Sequence, residues 1–212
     1  YSRGRDGSGN IEAAPASADF TTSLTIASTS LTATGIDVQN GANQRSYVRN
    51  LDVLFSDSTG LSALLAAGRV VVERFAIDAA SVTPGSGTIV PVSGITQNGN
   101  KLQLNFGATG LGGLNAAGNG FYRVRVDIDG NGSFADAGDS AFEFHRLFGD
   151  ANGDGKVDIA DTNLVNSQFG RSGLFLDGDL DGNGVVNSTD RLFSMQHRGK
   201  KLLDYMLGWL DD

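Results

Sequence analysis

The chain has 212 residues, 16 of them basic and 24 acidic, with 30 glycines, 2 histidines and no cysteine. That length supports a real core, while the cysteine and histidine counts exclude a disulfide framework, a thiolate metal site, a cysteine nucleophile and a histidine-rich metal site. Residues 127–190 carry 13 acidic against 3 basic side chains, which argues against nucleic acid as a partner, because phosphate needs a basic face, and points to a hard cation that relieves the self-repulsion.

The chain starts at Tyr1, with neither an initiator methionine nor a charged-then-apolar leader. It reads as a processed or excised chain, compatible with a removed secretory signal. Residues 1–19, rich in Gly, Ser and Ala, read as a tail or linker. The Ser/Thr-rich run 20–34, with Leu24, Ile26 and Leu31 between the hydroxyls, predicts one or two strands. Further strands are predicted over 45–56, 69–77, 87–92, 101–106, 120–128 and 141–146, with a helical turn at 61–67. In 101–106, Leu102, Leu104 and Phe106 alternate with polar residues, as on a strand wet on one side. The gaps hold turn material, including Asp57-Ser-Thr-Gly, Pro84-Gly-Ser-Gly and Gln97-Asn-Gly-Asn. The pattern predicts an Ig-like antiparallel β-sandwich over 20–147. Beyond Leu147 the spacing of Ile159, Leu164 and Phe169, then of Leu192 and Met195, becomes helical. This spacing predicts a small all-α domain over 148–212. No apolar run approaches the ~20 residues of a membrane span.

The strongest signal is Asp150–Asp161, DANGDGKVDIAD. Counting from Asp150, oxygen side chains fall at positions 1 (Asp150), 3 (Asn152), 5 (Asp154), 9 (Asp158) and 12 (Asp161), with the Lys156 carbonyl at 7 and Gly155 at the sharp turn. A second copy, DLDGNGVVNSTD, starts 29 residues later and offers Asp179, Asp181, Asn183, the Val185 carbonyl, Asn187 and Asp190 in the same slots. Hard oxygens at these spacings are the ligand set of an EF-hand calcium loop. Val157 at position 8 is apolar and can pair with a sister loop, and Val186 stands at the same position of the second copy.

Both copies end in Asp rather than Glu and neither follows an incoming helix. With Gly149-Asp150-x-Asn152-x-Asp154-Gly155 and Gly178-Asp179-x-Asp181-x-Asn183-Gly184, the segment of about 148–198 resembles the dockerin type I duplicated motif. The resemblance implies a calcium-folded, non-catalytic, EF-hand-like docking module at the end of a secreted bacterial protein, with a cohesin domain as the family's partner. It places recognition at loop positions 10 and 11, here Ile159-Ala160 and Ser188-Thr189. The Ser-Thr pair matches one family choice and Ile-Ala does not, which argues against a symmetric, two-way docking.

A third acidic loop lies between two predicted strands. Asp127, Asp129, Asn131 and Ser133 start on the same template, but position 12 is Gly138, with Asp139 one residue late and Asp136 two early. A third calcium site and a solvated Asn-Gly hairpin turn are both open readings of it.

Neither His145 nor His197 has a catalytic partner nearby in sequence, no nucleophile elbow is present, and the acidic pairs belong to the loops. The chain therefore reads as no enzyme. The stripe Leu202, Leu203, Met206, Trp209 and Leu210 within 200–212 either covers the chain's own core or meets another subunit. The leading expectation is a secreted or cell-surface structural protein holding two Ca²⁺ ions, with a third candidate, that assembles with copies of itself into a filament through 17–34 and 200–212. The alternatives are docking to a cohesin-like partner and carbohydrate binding on Tyr47, Phe75, Phe121 and Tyr122.

Overall fold

The structure is a computed structural model that describes residues 8–9, 31–76, 87–134 and 136–202. The predicted tail 1–19 apart from Ser8 and Gly9, most of the predicted strand 20–34, the Pro84 turn and the C-terminal stripe beyond Leu202 lie outside those residues. The chain divides into two compact units, 1–30 and 31–212, and all the described strands and helices belong to the second.

Among the described residues there are eight strands: β1 (Ala33–Val38), β2 (Asn50–Phe55), β3 (Val70–Ala76), β4 (Thr88–Ile89), β5 (Gly94–Asn98), β6 (Lys101–Asn105), β7 (Gly120–Val126) and β8 (Ser140–Arg146). They form two four-stranded sheets, β1-β2-β6-β5 and β4-β3-β7-β8, with every neighbouring pair antiparallel. Three short α-helices accompany them among the described residues: α1 (Leu61–Ala66), α2 (Ile159–Ser167) and α3 (Ser188–Gln196).

The alternation read in the sequence becomes the core. Leu51, Val53 and Phe55 of β2 and Leu102 and Leu104 of β6 face Val72 of β3, Tyr122 and Val124 of β7 and Phe144 of β8. Each of these side chains is buried, and the Tyr122 and Phe144 rings stack with centroids 5.4 Å apart. Leu61 and Leu64 of α1 close the core from the side. Strand β5 is absent from the sequence reading because it is an exposed edge, with only Ile95 turned toward the core. The predicted turn at 97–100 shortens to Gly99-Asn100 between β5 and β6.

The expectation of an immunoglobulin-like sandwich followed by a small all-α, dockerin-like domain is corrected. The described chain is two small antiparallel sheets with three short helices, and residues 148–202 hold only the nine-residue α2 and α3 between long loops. The apolar spacing that suggested a helical core does not build one. Ile159 and Phe169 are 57% and 54% exposed, and Leu192 and Met195 are 48% exposed. The residues turned inward are instead Asp161, Thr162 and Val165 on α2, and Asp190 and Ser194 on α3. The acidic loops set this phase: position 12 must point back into its loop, which places the residue four further on at the buried contact.

Segment 42–49, between β1 and β2, ties the sheets to the acidic loops. The Arg45 amide donates to the Asp150 carbonyl at 2.9 Å, and the Leu147 amide donates to the Arg45 carbonyl at 3.0 Å. Ser46 Oγ donates to the Leu180 carbonyl and accepts from the Gly149 amide, both at 3.0 Å. The Asn43 amide donates to Asp177 Oδ1 at 2.7 Å. Gly182 abuts the Tyr47 ring so closely that an added Cβ would stand 2.0 Å from Cε1. Only glycine permits that approach.

Behind this segment lies Arg146, fully buried at 0% exposure. Its Nε donates to the Ser46 carbonyl at 3.0 Å, Nη1 to the Asn115 carbonyl at 2.8 Å and Nη2 to the Gly113 carbonyl at 2.6 Å. Burial pulls the guanidinium down to about 10, which leaves it charged at neutral pH. One planar fork of donors thus satisfies carbonyls from two separate loops.

Candidate metal centre

The first acidic loop is organised by its own carboxylates. Asp150 Oδ1 accepts from the Gly153 amide at 2.6 Å and Oδ2 from the Gly155 amide at 3.1 Å. Asn152 Oδ1 accepts from the Asp154 amide, and Asp154 Oδ1 from the Lys156 amide. Asp161 Oδ1 accepts from the Ala151 amide at 2.8 Å, and Oδ2 from the Asp158 amide at 2.7 Å. Asp158 and Asp161 are also the N-cap and N3 residues of a capping box that starts α2. The last two ligand positions therefore launch the helix. Gly155, at φ +77°, makes the turn.

The second loop repeats this pattern. Asp179 Oδ2 accepts from the Gly184 amide at 2.8 Å, and Asn183 Oδ1 from the Val185 amide at 2.8 Å. Asp190 closes the loop by accepting from the Leu180 and Asn187 amides, both at 2.8 Å. Asn187 and Asp190 form the capping box of α3. Asp181 Oδ2 accepts from the Asn183 side-chain amide at 3.0 Å.

The third loop, between β7 and β8, follows the same register. Asp127 accepts from the Gly130 amide at 2.5 Å and the Gly132 amide at 3.1 Å, the offsets of three and five seen at Asp150. Asn131 Oδ1 accepts from the Ser133 amide at 2.7 Å. Asp139 Oδ1 accepts from the Ile128 amide and Oδ2 from the Asp136 amide, just as Asp161 serves Ala151 and Asp158. Asp139 therefore takes the closing role and Asp136 the role of position 9. The loop is the same device with one residue inserted, so the sequence template failed only in its numbering.

The structure brings some ligand candidates together and leaves others apart. Among the described residues, the carboxylate oxygens of Asp127, Asp129 and Asp139 lie within 4.8 Å of one another, as do those of Asp179, Asp181 and Asp190. The first loop contains no such triad among them: its position 3 is Asn152, and Asp154 and Asp158 turn to the Lys156 ammonium at 3.2 and 3.5 Å. The hydrogen bond to Asp154 is the chief reason that Lys156 is held above its ordinary range. His145, expected to be packed or hydrogen-bonded to a neighbour, has its Nε2 3.2 Å from Asp150 Oδ2. The sister-loop pairing of Val157 and Val186 is not made. The Val157 amide donates to the Lys200 carbonyl and the Val186 amide to the Arg171 carbonyl, each loop using a different neighbouring segment.

Burial works against charge in these loops. It raises the carboxyls of Asp161 and Asp190, and raises Asp179 to about 6, with the Asp190 and Asp181 charges adding to the effect. Crowded, half-desolvated carboxylates backed by amide and carbonyl oxygens are the donor chemistry of a hard divalent cation, so the residues present fit such an ion. No protein-family model, no curated protein and no solved structure matches this chain. The reading of the loops rests on their own geometry.

The raised carboxyl and the Lys156 bridge each have a measurable consequence. A carboxyl held at about 6 in the folded chain and near ~3.9 in the unfolded one keeps its proton longer when folded. Metal-free stability should therefore fall as pH rises through about 4 to 6, while affinity for a cation, which needs the carboxylate, rises over the same window. Thermal melts in EGTA and in calcium across that range check both signs. Lys156→Gln should release Asp154 and Asp158 and tighten binding at the first loop several-fold, measured by titration calorimetry, since a fixed ammonium competes with the cation for those oxygens.

Tyr47 and Tyr122 are 4% and 1% exposed, which leaves the carbohydrate reading without the row of exposed aromatics that it needs there. The side chain of Phe75 lies outside the described residues, and Phe121 is half-buried. Among the described residues no helix is long and apolar enough to cross a membrane.

Proposed function

We propose that this chain is a non-catalytic, calcium-binding structural protein of an extracellular or cell-surface assembly, in which Ca²⁺ held by the acidic loops sets the shape of a protein-binding unit. The observation that carries this reading is the shared hydrogen-bond register of the three loops, ending in Asp161, Asp190 and Asp139. The first ion would be held by Asp150, Asn152, Asp154, the Lys156 carbonyl, Asp158 and Asp161. Asp179, Asp181, Asn183, the Val185 carbonyl, Asn187 and Asp190 would hold the second, and Asp127, Asp129, Asn131, Ser133, Asp136 and Asp139 the third. When bound, each ion supplies positive charge that offsets the crowding of its carboxylates. The duplicated loop-and-helix units keep their similarity to the dockerin motif as part of this proposal.

The partner in this reading is a protein. Exposure of Ile159, Ala160, Ser188 and Thr189 at the starts of α2 and α3, with Leu192 and Met195 beside them, supports docking to a cohesin-like partner. Copies of this chain are the other candidate partner, and the firm seating of segment 42–49 on two loops supports a rigid subunit of that kind. Calorimetric titration of the metal-free chain with Ca²⁺ tests the metal part: three bound ions are expected, falling to two in Asp139→Ala, and no binding at millimolar Ca²⁺ would end the proposal. Light scattering in Ca²⁺ and after EGTA tests the partner. Large particles that fall apart on chelation support self-assembly, and a monomer in both conditions leaves the docking face.

A further inference from the structure

The dipeptide Asn-Gly occurs six times, beginning at Asn40, Asn98, Asn119, Asn131, Asn152 and Asn183. Each copy is open to the same covalent reaction. The glycine amide nitrogen attacks the asparagine Cγ, and the side-chain nitrogen leaves as ammonia, taking the backbone proton with it. Water then opens the resulting succinimide at either carbonyl, to aspartate or to isoaspartate. Asparagine and water thus become aspartate, or its isomer, and ammonia. Glycine has no Cβ to block the attack, so what separates six equal dipeptides is the geometry in which each is held.

Five of them are held shut. In the three acidic loops the attacking nitrogen is already committed: the Gly132, Gly153 and Gly184 amides donate to Asp127, Asp150 and Asp179 at 3.1, 2.6 and 2.8 Å. The asparagine side-chain carbonyls there are fixed as well, accepting from the Ser133, Asp154 and Val185 amides. Asn119 is buried, its Oδ1 accepts from the Phe148 amide at 2.7 Å, and Gly120 is the first residue of β7. Asn40 is exposed, but its ψ of 43° sets the Gly41 nitrogen nearly opposite Cβ across the Cα–C bond, away from Cγ. Asn98 differs from all of these. It ends β5 at the tip of the β5–β6 hairpin, and both it and Gly99 are exposed. Among the described residues neither its side chain nor the Gly99 amide makes a hydrogen bond. The far side of the turn is anchored instead, since Asn100 donates from Nδ2 to the Phe55 carbonyl at 2.8 Å and accepts from the Phe55 amide at 2.9 Å.

We propose that Asn98 is the residue at which the folded chain deamidates, and that the acidic loops preserve their asparagines through the same amide hydrogen bonds that shape them. Lys101 lies directly opposite Asn98, so the new carboxylate faces an ammonium, while isoaspartate adds a backbone carbon to the turn. The protecting bonds need no bound ion, and the proposal is independent of the metal reading. The test incubates the intact chain in EGTA in warm, mildly alkaline buffer, digests samples at acidic pH and follows each Asn-Gly peptide by mass spectrometry. Asn98 should convert severalfold faster than any of the other five, whereas in urea the six should converge on one rate. Asp127→Ala should speed conversion of Asn131 and leave Asn98 unchanged; the comparison of folded chain with urea holds even where that variant does not fold. Three results would overturn the proposal: a loop asparagine or Asn40 converting first, equal rates at all six positions in the folded chain, or an Asn98 that converts in urea and stays intact in the folded chain.

Discussion

If the acidic loops hold Ca²⁺ as proposed, chelation should lower the melting temperature of the whole chain, not only of its acidic third. A site at a thousandfold excess of ligand over Kd contributes about 4 kcal/mol to the folded state. Two such sites total about 8 kcal/mol, equivalent to a shift of roughly 15–30 °C for a chain of this size. The coupling to the sheets runs through segment 42–49. Ser46 holds Leu180 and Gly149 together, Arg45 is bonded to Asp150, and the Tyr47 ring lies on Gly182. Loosening the loops therefore removes the cover from the first connection of the sheets. Far-ultraviolet circular dichroism and the near-ultraviolet tyrosine signal should melt together, at the lower temperature, in EGTA. Unchanged melting after EGTA would refute calcium as the stabilising ion, and a loss confined to one signal would refute the coupling.

Arg146→Met should destabilise the calcium-loaded protein by about 3–5 kcal/mol, read as a lower urea midpoint with an unchanged slope. Met fills much of the space, so the loss comes from the carbonyls of Ser46, Asn115 and Gly113, which lose their donors inside the fold. Arg146→Lys should recover only part of it, because one ammonium cannot reach carbonyls on two loops in the fork geometry of guanidinium. Full stability in either variant would mean that water replaces the side chain and that the site is less closed than its 0% exposure implies.

Local patterns were legible in the sequence and distant ones were not. The alternation in 101–106 gave Leu102 and Leu104 their buried places, and the Asp/Asn spacing marked where the turns of 150–161 and 179–190 are tied by their own carboxylates. The third loop was half legible: its inserted residue broke the template, and only the bonds from Ile128 and Asp136 to Asp139 restored the register. Helix phase was misread because apolar spacing assumes that a helix is positioned by its greasy side. In α2 and α3 it is positioned by Asp161 and Asp190 reaching back into their loops. Strand β5 carried too little apolar signal at an exposed edge. Nothing near Ser46 or Arg146 in sequence announces partners 100 or more residues away, since a tertiary contact leaves no local period.

The grip on segment 42–49 also implies an order of events during synthesis. The connection between β1 and β2 is made early, yet the groups that settle it, from Arg146 to Gly182, emerge about a hundred residues later or more. A nascent chain that has just released β7 holds most of its strands but lacks the cover over Tyr47. Contacts of such long separation form slowly, so the cover over Tyr47 is completed only once the ribosome has delivered the second acidic loop. Until then the N-terminal half waits as an unfinished sheet pair, and under the proposed calcium reading the ion supply, more than the chain itself, should decide when it locks.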